Sequence, residues 1–374
     1  VSSEMSRETK LEALLAKRRD QGSFRSLGHK QEDLIDFSSN DYLGLARSTD
    51  LKASIHDEYT KEELPNGSTG SRLLTGNSEL TISCENHLAK LFGFESATLF
   101  ASGYMANLAI FSALPQRGDT IIYDEYSHAC IKDGCRLSLA KRLPFKHNDL
   151  ADLERKLKEA GGEIFIACES IYSMDGDKAP LSDIIKLADQ YSAKVIIDEA
   201  HSTGIFGQNG AGLVSEMSLQ DKVFAVIYTF GKAMGIHGAC IAGSKPLKEF
   251  ITNFSRPFIY TTAPSPHEVI TVRSAFDYLK NHPSLPLNLQ EKIEHFNQLL
   301  PEFSSLSPIK SIVIGGNEKT KEVAQDLQNQ GFDIRPILSP TVKEGSERLR
   351  ICLHTFNTKE EITLICHLLK NTLG

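Results

Sequence analysis

From about residue 79 onward, short β-rich apolar runs alternate with stretches of helical spacing. The runs are A-T-L-F (97–100), T-I-I-Y (120–123), R-L-P-F (142–145), E-I-F-I-A-C-E (163–169), K-V-I-I-D (194–198), V-F-A-V-I-Y-T (223–229) and A-C-I-A-G (239–243). Between them, D-L-A-D-L-E-R-K-L-K-E-A (149–160) and L-S-D-I-I-K-L-A-D-Q-Y (181–191) repeat their apolar positions at the period of an amphipathic helix. Strand, helix, strand in repetition predicts an α/β fold whose large domain holds a mainly parallel seven-stranded sheet covered on both faces. Several of these runs end in polar residues, which puts candidate chemistry at the carboxyl edge of the sheet.

The flanks have a different texture. T-K-L-E-A-L-L-A-K-R-R-D-Q (about 9–21) has helical spacing, L-I-D-F-S (34–38) resembles a short strand, and the loop N-D-Y-L-G follows. T-T-A-P-S-P-H (261–267) leads into a helix through about 280, and N-H-P-S-L-P-L-N (281–288) reads as a linker. Beyond it come a helix, a strand (309–314), a helix, two strands (332–337 and 347–353) and a final helix. The expected division is an N-terminal segment 1–45, a large α/β domain 46–280 and a small α+β domain 281–374, the last completed by the N-terminal end.

Charge and composition narrow the function. With 374 residues and a net charge of -7, the chain has no general surface for nucleic acid. Its seven cysteines form no C-x-x-C pair and no zinc-like cluster, so no metal is expected. Cys168 and Cys240 sit in apolar runs and read as core thiols, which suits a reducing cytoplasm. No apolar run is long enough for a membrane span, and V-S-S-E-M-S-R-E-T-K-L lacks the apolar core of a secretion signal.

The string D-E-A-H at 198–201 invites a helicase reading, which needs a phosphate loop G-x-x-x-x-G-K-[ST]. The sole G-K, at 231–232, is followed by Ala233, has Val226 where the first glycine belongs, and lies downstream of the acidic string. A nucleotide-driven motor is therefore excluded. Lys232 instead stands in a glycine-flanked turn after one apolar run, and Asp198 ends another. A carboxylate at such an edge is costly unless paired with a cation. A lysine that anchors a cofactor covalently and an Asp that pairs with its pyridinium nitrogen are the two parts a pyridoxal phosphate enzyme needs. Ser102, Gly103 and Tyr104 open a helix after 97–100, where backbone N–H groups and the helix dipole favour a phosphate, and Thr229 can reach the same group. His128, in D-E-Y-S-H-A-C, offers a plane to stack on a pyridine ring. His201 offers a hydrogen bond to the ring's phenolic oxygen or to the substrate carboxylate, and Ser173 one to the same phenolic oxygen.

A set of longer strings runs through the chain: F-S-S-N-D-Y-L-G-L (37–45), G-S-T-G-S-R-L-L-T-G (67–76), S-H-A (127–129), S-M-D-G-D-K-A-P-L (173–181), D-E-A-H-S-T-G (198–204), T-F-G-K-A-M-G (229–235), R-P-F-I-Y-T-T-A (256–263) and P-T-V-K-E-G-S-E-R-L-R (340–350). Together they resemble the α-oxoamine synthases among the fold-type-I pyridoxal phosphate enzymes, most of all the oxononanoate-synthase branch. The resemblance implies a decarboxylative condensation of an amino acid, alanine in that branch, with an acyl thioester such as pimeloyl-CoA or a carrier-protein thioester. Glycine- and serine-using members of the family are the alternatives. It implies Lys232 as the cofactor's covalent anchor and Asp198 as the ring-nitrogen partner. His128 would be the stacking residue, with His201 and Ser173 at the phenolic oxygen and Gly103, Tyr104 and Thr229 at the phosphate. It further implies that Thr261 and Thr262 reach a neighbouring subunit's cofactor, hence a homodimer with shared sites. Arg350 would hold the amino-acid carboxylate, Asn40 would sit in the matching N-terminal loop, and Arg25 and Thr341 would contact the acyl substrate.

Overall fold

The computed structural model describes residues 5–27, 33–61 and 63–373. They pack into two units, one of Asn40–Glu291 with His354–Phe356, the other of Val1–Ser39, Lys292–Leu353 and Asn357–Gly374.

The larger unit is built on the seven strands that the apolar runs predict: β1 (Ser96–Phe100), β2 (Thr120–Asp124), β3 (Lys141–Phe145), β4 (Ile164–Glu169), β5 (Lys194–Asp198), β6 (Ala225–Thr229) and β7 (Ala239–Gly243). They form one sheet in the order β1-β7-β6-β5-β4-β2-β3. All neighbours run parallel except β7, which is antiparallel to both β1 and β6. Ile196, Ile197, Val226 and Ile227 in the middle of the sheet are fully buried, each contributing roughly 1.5–3 kcal/mol by burial. The strand that carries Pro144 lies at the edge, where a missing N–H costs no ladder bond.

The helix Gly103–Ala113 leaves the carboxyl end of β1 with Ser102 as its cap, the Ser102 hydroxyl accepting from the Met105 N–H at 3.3 Å. It buries Ala106, Ala109, Ile110 and Phe111 against the sheet and against the helix Ala129–Leu137. The two helices approach so closely that a Cβ on Gly134 would lie 2.8 Å from the Phe111 Cβ.

The segment 67–76 is held down by charge. Arg72 grips Glu85 with both terminal guanidinium nitrogens, at 2.7 and 3.1 Å, and Lys248 and the Leu99 N–H donate to the same carboxylate. Burial works against ionisation of Glu85, but the Arg72 and Lys248 charges prevail and hold its pKa below the usual value. The segment then bridges to residues 261–264 through Ser71 and Thr262, with the Ser68 hydroxyl donating to the Pro264 carbonyl.

The smaller unit is α+β. Its antiparallel sheet runs Arg335–Ile337, Arg348–Cys352, Ile309–Val313, and Ile35–Asp36 pairs in parallel with Phe332–Asp333. The helices Asn317–Asn329 and Lys359–Leu373 belong to it. The expected linker at 281–288 is a correction: a helix already begins at Ser284 and continues to Leu299. Leu289, Ile293, Phe296 and Leu300, spaced for one helical face, are all fully buried. Pro283 precedes this helix and Pro286 lies in its first turn, where N–H groups have no intrahelical acceptor to lose. The division between the units passes through this helix at 291/292.

Candidate active site

Asp198 ends β5 at the carboxyl edge, almost completely buried. Both of its oxygens are held: Oδ1 accepts the Ala200 N–H at 2.8 Å, and Oδ2 accepts from Asn107 Nδ2 at 2.6 Å. Asn107 reaches it from the helix Gly103–Ala113, where the same Nδ2 also donates to the Gly103 carbonyl at 3.1 Å. The other side of this amide, Oδ1, is buried without a hydrogen-bond partner.

Lys232 follows β6 in a turn packed so closely on Leu45 and Ala46 that a Cβ on Gly235 would lie 2.2 Å from the Ala46 nitrogen. Its Nζ is 2.7 Å from His201 Nε2, and His201 Nδ1 is 2.9 Å from the Tyr42 hydroxyl. Tyr42 in turn donates to Asn40 Oδ1 at 2.9 Å. An ammonium only donates, so Nε2 accepts and the ring proton belongs on Nδ1, facing Tyr42. The result is a directed chain from amine to imidazole to phenol to amide. Tyr42 is fully buried, with the His354 ring plane nearly parallel to its own at 6.4 Å, while Arg47 lies 3.5 Å above the neighbouring Phe356 ring.

His128 caps the helix Ala129–Leu137, its Nδ1 accepting the Cys130 N–H at 3.2 Å. Its own backbone N–H donates to Glu169 Oε1 at 2.6 Å, which ties the loop after β2 to the end of β4. Withdrawal from solvent and the Lys232 charge lower the His128 pKa. Burial and the neighbouring Asp198 push the Glu169 carboxyl up to about 8. Ser173 occupies a hairpin beyond β4 in which Ile171 bridges to Lys178 and the Tyr172 N–H donates to the Asp177 carbonyl.

At the other end of the edge, Gly103 and Thr229 meet. A Cβ on residue 103 would lie 2.2 Å from the Thr229 hydroxyl oxygen, so only glycine fits there. The Tyr104 hydroxyl does not turn toward this corner; it donates to Asp133 at 2.5 Å, and what Tyr104 offers is its backbone at the helix start. Thr261 donates to the Pro257 carbonyl at 2.6 Å, and Thr262 sits on the bridge to Ser71.

In the smaller unit, Arg25 Nη2 donates to the Thr341 hydroxyl at 3.1 Å, which brings together the two residues singled out for the acyl substrate. Arg350 lies on the strand Arg348–Cys352, largely buried, with Nη1 3.0 Å from the Cys352 sulfur.

Sequence reasoning left three of these residues without a role. Asn107 had a signal: it is an amide on a nearly continuous apolar helix, four residues after Gly103 and on the same face. Tyr42 and Glu169 had none, because an aromatic in a loop and a carboxylate at a strand end are both common. Glu199, the second acid of D-E-A-H, is structural. Fully buried, it accepts the Leu213 and Val214 N–H groups at 3.0 and 2.7 Å, and burial pushes its pKa up to about 7. All seven cysteines are buried and unpaired with one another. Among the described residues no group of three His, Cys, Asp or Glu could hold a metal ion, and no helix is long and apolar enough to cross a membrane.

The chain is similar to known proteins along nearly its whole length. An 8-amino-7-oxononanoate synthase of Lysinibacillus sphaericus is 37% identical over 341 residues, covering 89% of this chain and 87% of the relative. The solved 8-amino-7-oxononanoate synthase of Francisella tularensis superimposes with a TM-score of 0.79 at 30% identity, covering 92% of this chain and 98% of that one. A serine palmitoyltransferase from S. paucimobilis, solved with bound PLP and myriocin, gives a TM-score of 0.88 at 26% identity and covers 98% of each chain. The family description Aminotransferase class I and II matches residues 32–369, and the chain belongs to that family.

Proposed function

We propose that this protein is a pyridoxal-phosphate-dependent acyltransferase that condenses L-alanine with pimeloyl-CoA, releasing CoA and CO2, to make 8-amino-7-oxononanoate. The observation that carries the reading is the lysine–imidazole–phenol chain beside a fixed, buried Asp198. The names of the relatives at 37% and 30% identity support the substrates.

The residues fit the cofactor. Gly103 leaves room beside the Thr229 hydroxyl that any side chain would fill, at a helix start suited to a phosphate. Lys232 would anchor the group covalently, Asp198 would pair with its ring nitrogen, and His128 would lie on its face. Ser173 and His201 would serve the phenolic oxygen, and Gly103, Tyr104 and Thr229 the phosphate. When bound, pyridoxal phosphate supplies an electron-poor ring that spreads negative charge from the amino acid's α-carbon.

The chain's own residues do the rest. Asp198 cannot swing away, because Ala200 and Asn107 hold one oxygen each; it stays in place to stabilise a proton on a ring nitrogen. The Lys232 amine would serve as the base for the α-proton. His201 fixes where that amine points, and Tyr42 fixes the His201 tautomer. The protein acts on small molecules as a homodimer with shared sites, Thr261 and Thr262 contributing to the partner's, and it works in the cytoplasm.

Serine palmitoyltransferase activity is the second reading, favoured by the higher TM-score of that neighbour. The deciding experiment is a matrix of alanine, glycine, serine and threonine against acyl-CoAs of several lengths, scored by thiol release. Fastest turnover with alanine and pimeloyl-CoA is expected; fastest turnover with serine and a long acyl chain would overturn the substrate assignment. Lys232→Ala should abolish both turnover and the borohydride-sensitive yellow colour of the loaded protein, and a colourless wild type would sink the cofactor assignment.

A further inference from the structure

The string H-N-D at 147–149 belongs to none of the groups assigned above, yet its histidine is the most thoroughly ion-paired in the larger unit among the described residues. His147 Nδ1 lies 3.0 and 3.1 Å from the two oxygens of Asp124, and Nε2 lies 2.8 Å from Asp177 Oδ2. The ring is sandwiched edge and face by Tyr172 and Tyr126, at 4.5 and 4.3 Å between centroids. Asn148 reinforces both arms: its N–H donates to Asp124 Oδ2 at 2.9 Å and its Nδ2 to Asp177 Oδ2 at 2.6 Å. Asp149 caps the next helix, accepting the Asp152 N–H at 2.9 Å.

What the two carboxylates are attached to gives the arrangement its meaning. Asp124 ends β2, is fully buried, and accepts the Tyr126 N–H at 2.7 Å, so it shapes the turn that presents His128. Asp177 closes the hairpin whose other limb holds Ser173, its carbonyl accepting the Tyr172 N–H at 3.0 Å. Asp124 and Asp177 would repel each other across this gap without a cation between them. His147 comes from a third element, the loop after β3, and is joined to both.

We propose that His147, as a doubly hydrogen-bonded cation between Asp124 and Asp177, is a positioning residue that locks the His128 loop and the Ser173 hairpin into one rigid wall of the active site. The significance of that wall rests on the cofactor reading above; the lock itself does not. Burial disfavours the charge, but the two carboxylates prevail and push the His147 pKa up to about 10, so the cation persists at neutral pH. A lysine would not do the same, since its donors all share one atom, whereas the imidazole carries one N–H on each of two separate edges of the ring.

The test uses the full chain, first without cofactor. Backbone hydrogen exchange at residues 124–130 and 170–179 should quicken roughly tenfold or more in His147→Gln, while the strands β4 and β5 keep their protection. Asp177→Asn, which spares the histidine and removes one charge, should quicken the hairpin more than the 124–130 loop, and it serves if His147→Gln does not fold. Unchanged exchange in both loops of a folded variant overturns the lock. In the second arm, pyridoxal phosphate is titrated by its absorbance, and affinity should fall roughly tenfold in His147→Gln. Faster exchange with unchanged affinity would overturn the link to the site and leave the lock standing. A wild type that binds no pyridoxal phosphate would defeat the cofactor reading, while the exchange result would still decide the lock.

Discussion

At the scale of single residues, the site is a set of groups whose partners fix their state before any ligand arrives. Glu169 shows how this reaches stability. Its pKa is raised to about 8 in the fold, against the ordinary carboxylate value near 4.5, so the folded state holds a proton that the unfolded chain gives up. The stability this proton supports is complete below the unfolded value and is lost as pH rises through the folded one. The cofactor-free wild type should therefore lose stability relative to Glu169→Gln between about pH 4.5 and 8 in urea melts. A gap that stays constant across that range would contradict it. Lys232, Asp198, His128 and His201 were recognisable in the sequence as candidates because each follows a recognisable apolar run or motif. Tyr42, Asn107 and His147 were not, because their roles depend on partners 159, 91 and 30 residues distant in the chain. Spacing along the sequence carries no trace of such meetings.

At the scale of elements, the helix Gly103–Ala113 does two tasks with one face. Its first turn meets Thr229, and one turn later Asn107 meets Asp198. Moving this helix by even a few tenths of an ångström would disturb both corners. Gly103→Ala forces that movement, so it should cost about 1–3 kcal/mol of stability, an overpacking effect, and weaken cofactor binding. Adding Thr229→Ala removes the opposing hydroxyl and should restore the stability but not the binding. Thermal melts and an absorbance titration check the two halves separately, and recovery of both would mean that Thr229 has no part in the phosphate corner. All seven strands of the large sheet could be read from their apolar runs. The start of the helix at 284–299 could not, because Pro283 and Pro286 look like a break until one is known to precede the helix and the other to lie in its first turn.

At the scale of the molecule, the proposed homodimer with shared sites predicts complementation between defective subunits. A heterodimer of Lys232→Ala with Thr261→Ala/Thr262→Ala has one site with both defects and one with neither. Random reassortment of the two inactive proteins should then recover about a quarter of wild-type activity, since half the dimers are mixed and each mixed dimer has one sound site. No recovery after reassortment, with mixed dimers demonstrated by sedimentation or mass, would place each site within a single chain.

The return of residues 354–356 to the larger unit has a temporal meaning. Tyr42 stands on one side of nearly the whole chain from His354, the ring it faces, and from Phe356, which Arg47 covers. A growing polypeptide can assemble the seven-stranded sheet once residue 243 has emerged from the ribosome, yet Tyr42 then lacks its far wall. The surroundings of Tyr42 are therefore completed only when residues 354–356 have been made. A nascent chain with its sheet already formed would still carry Tyr42 without the ring that faces it.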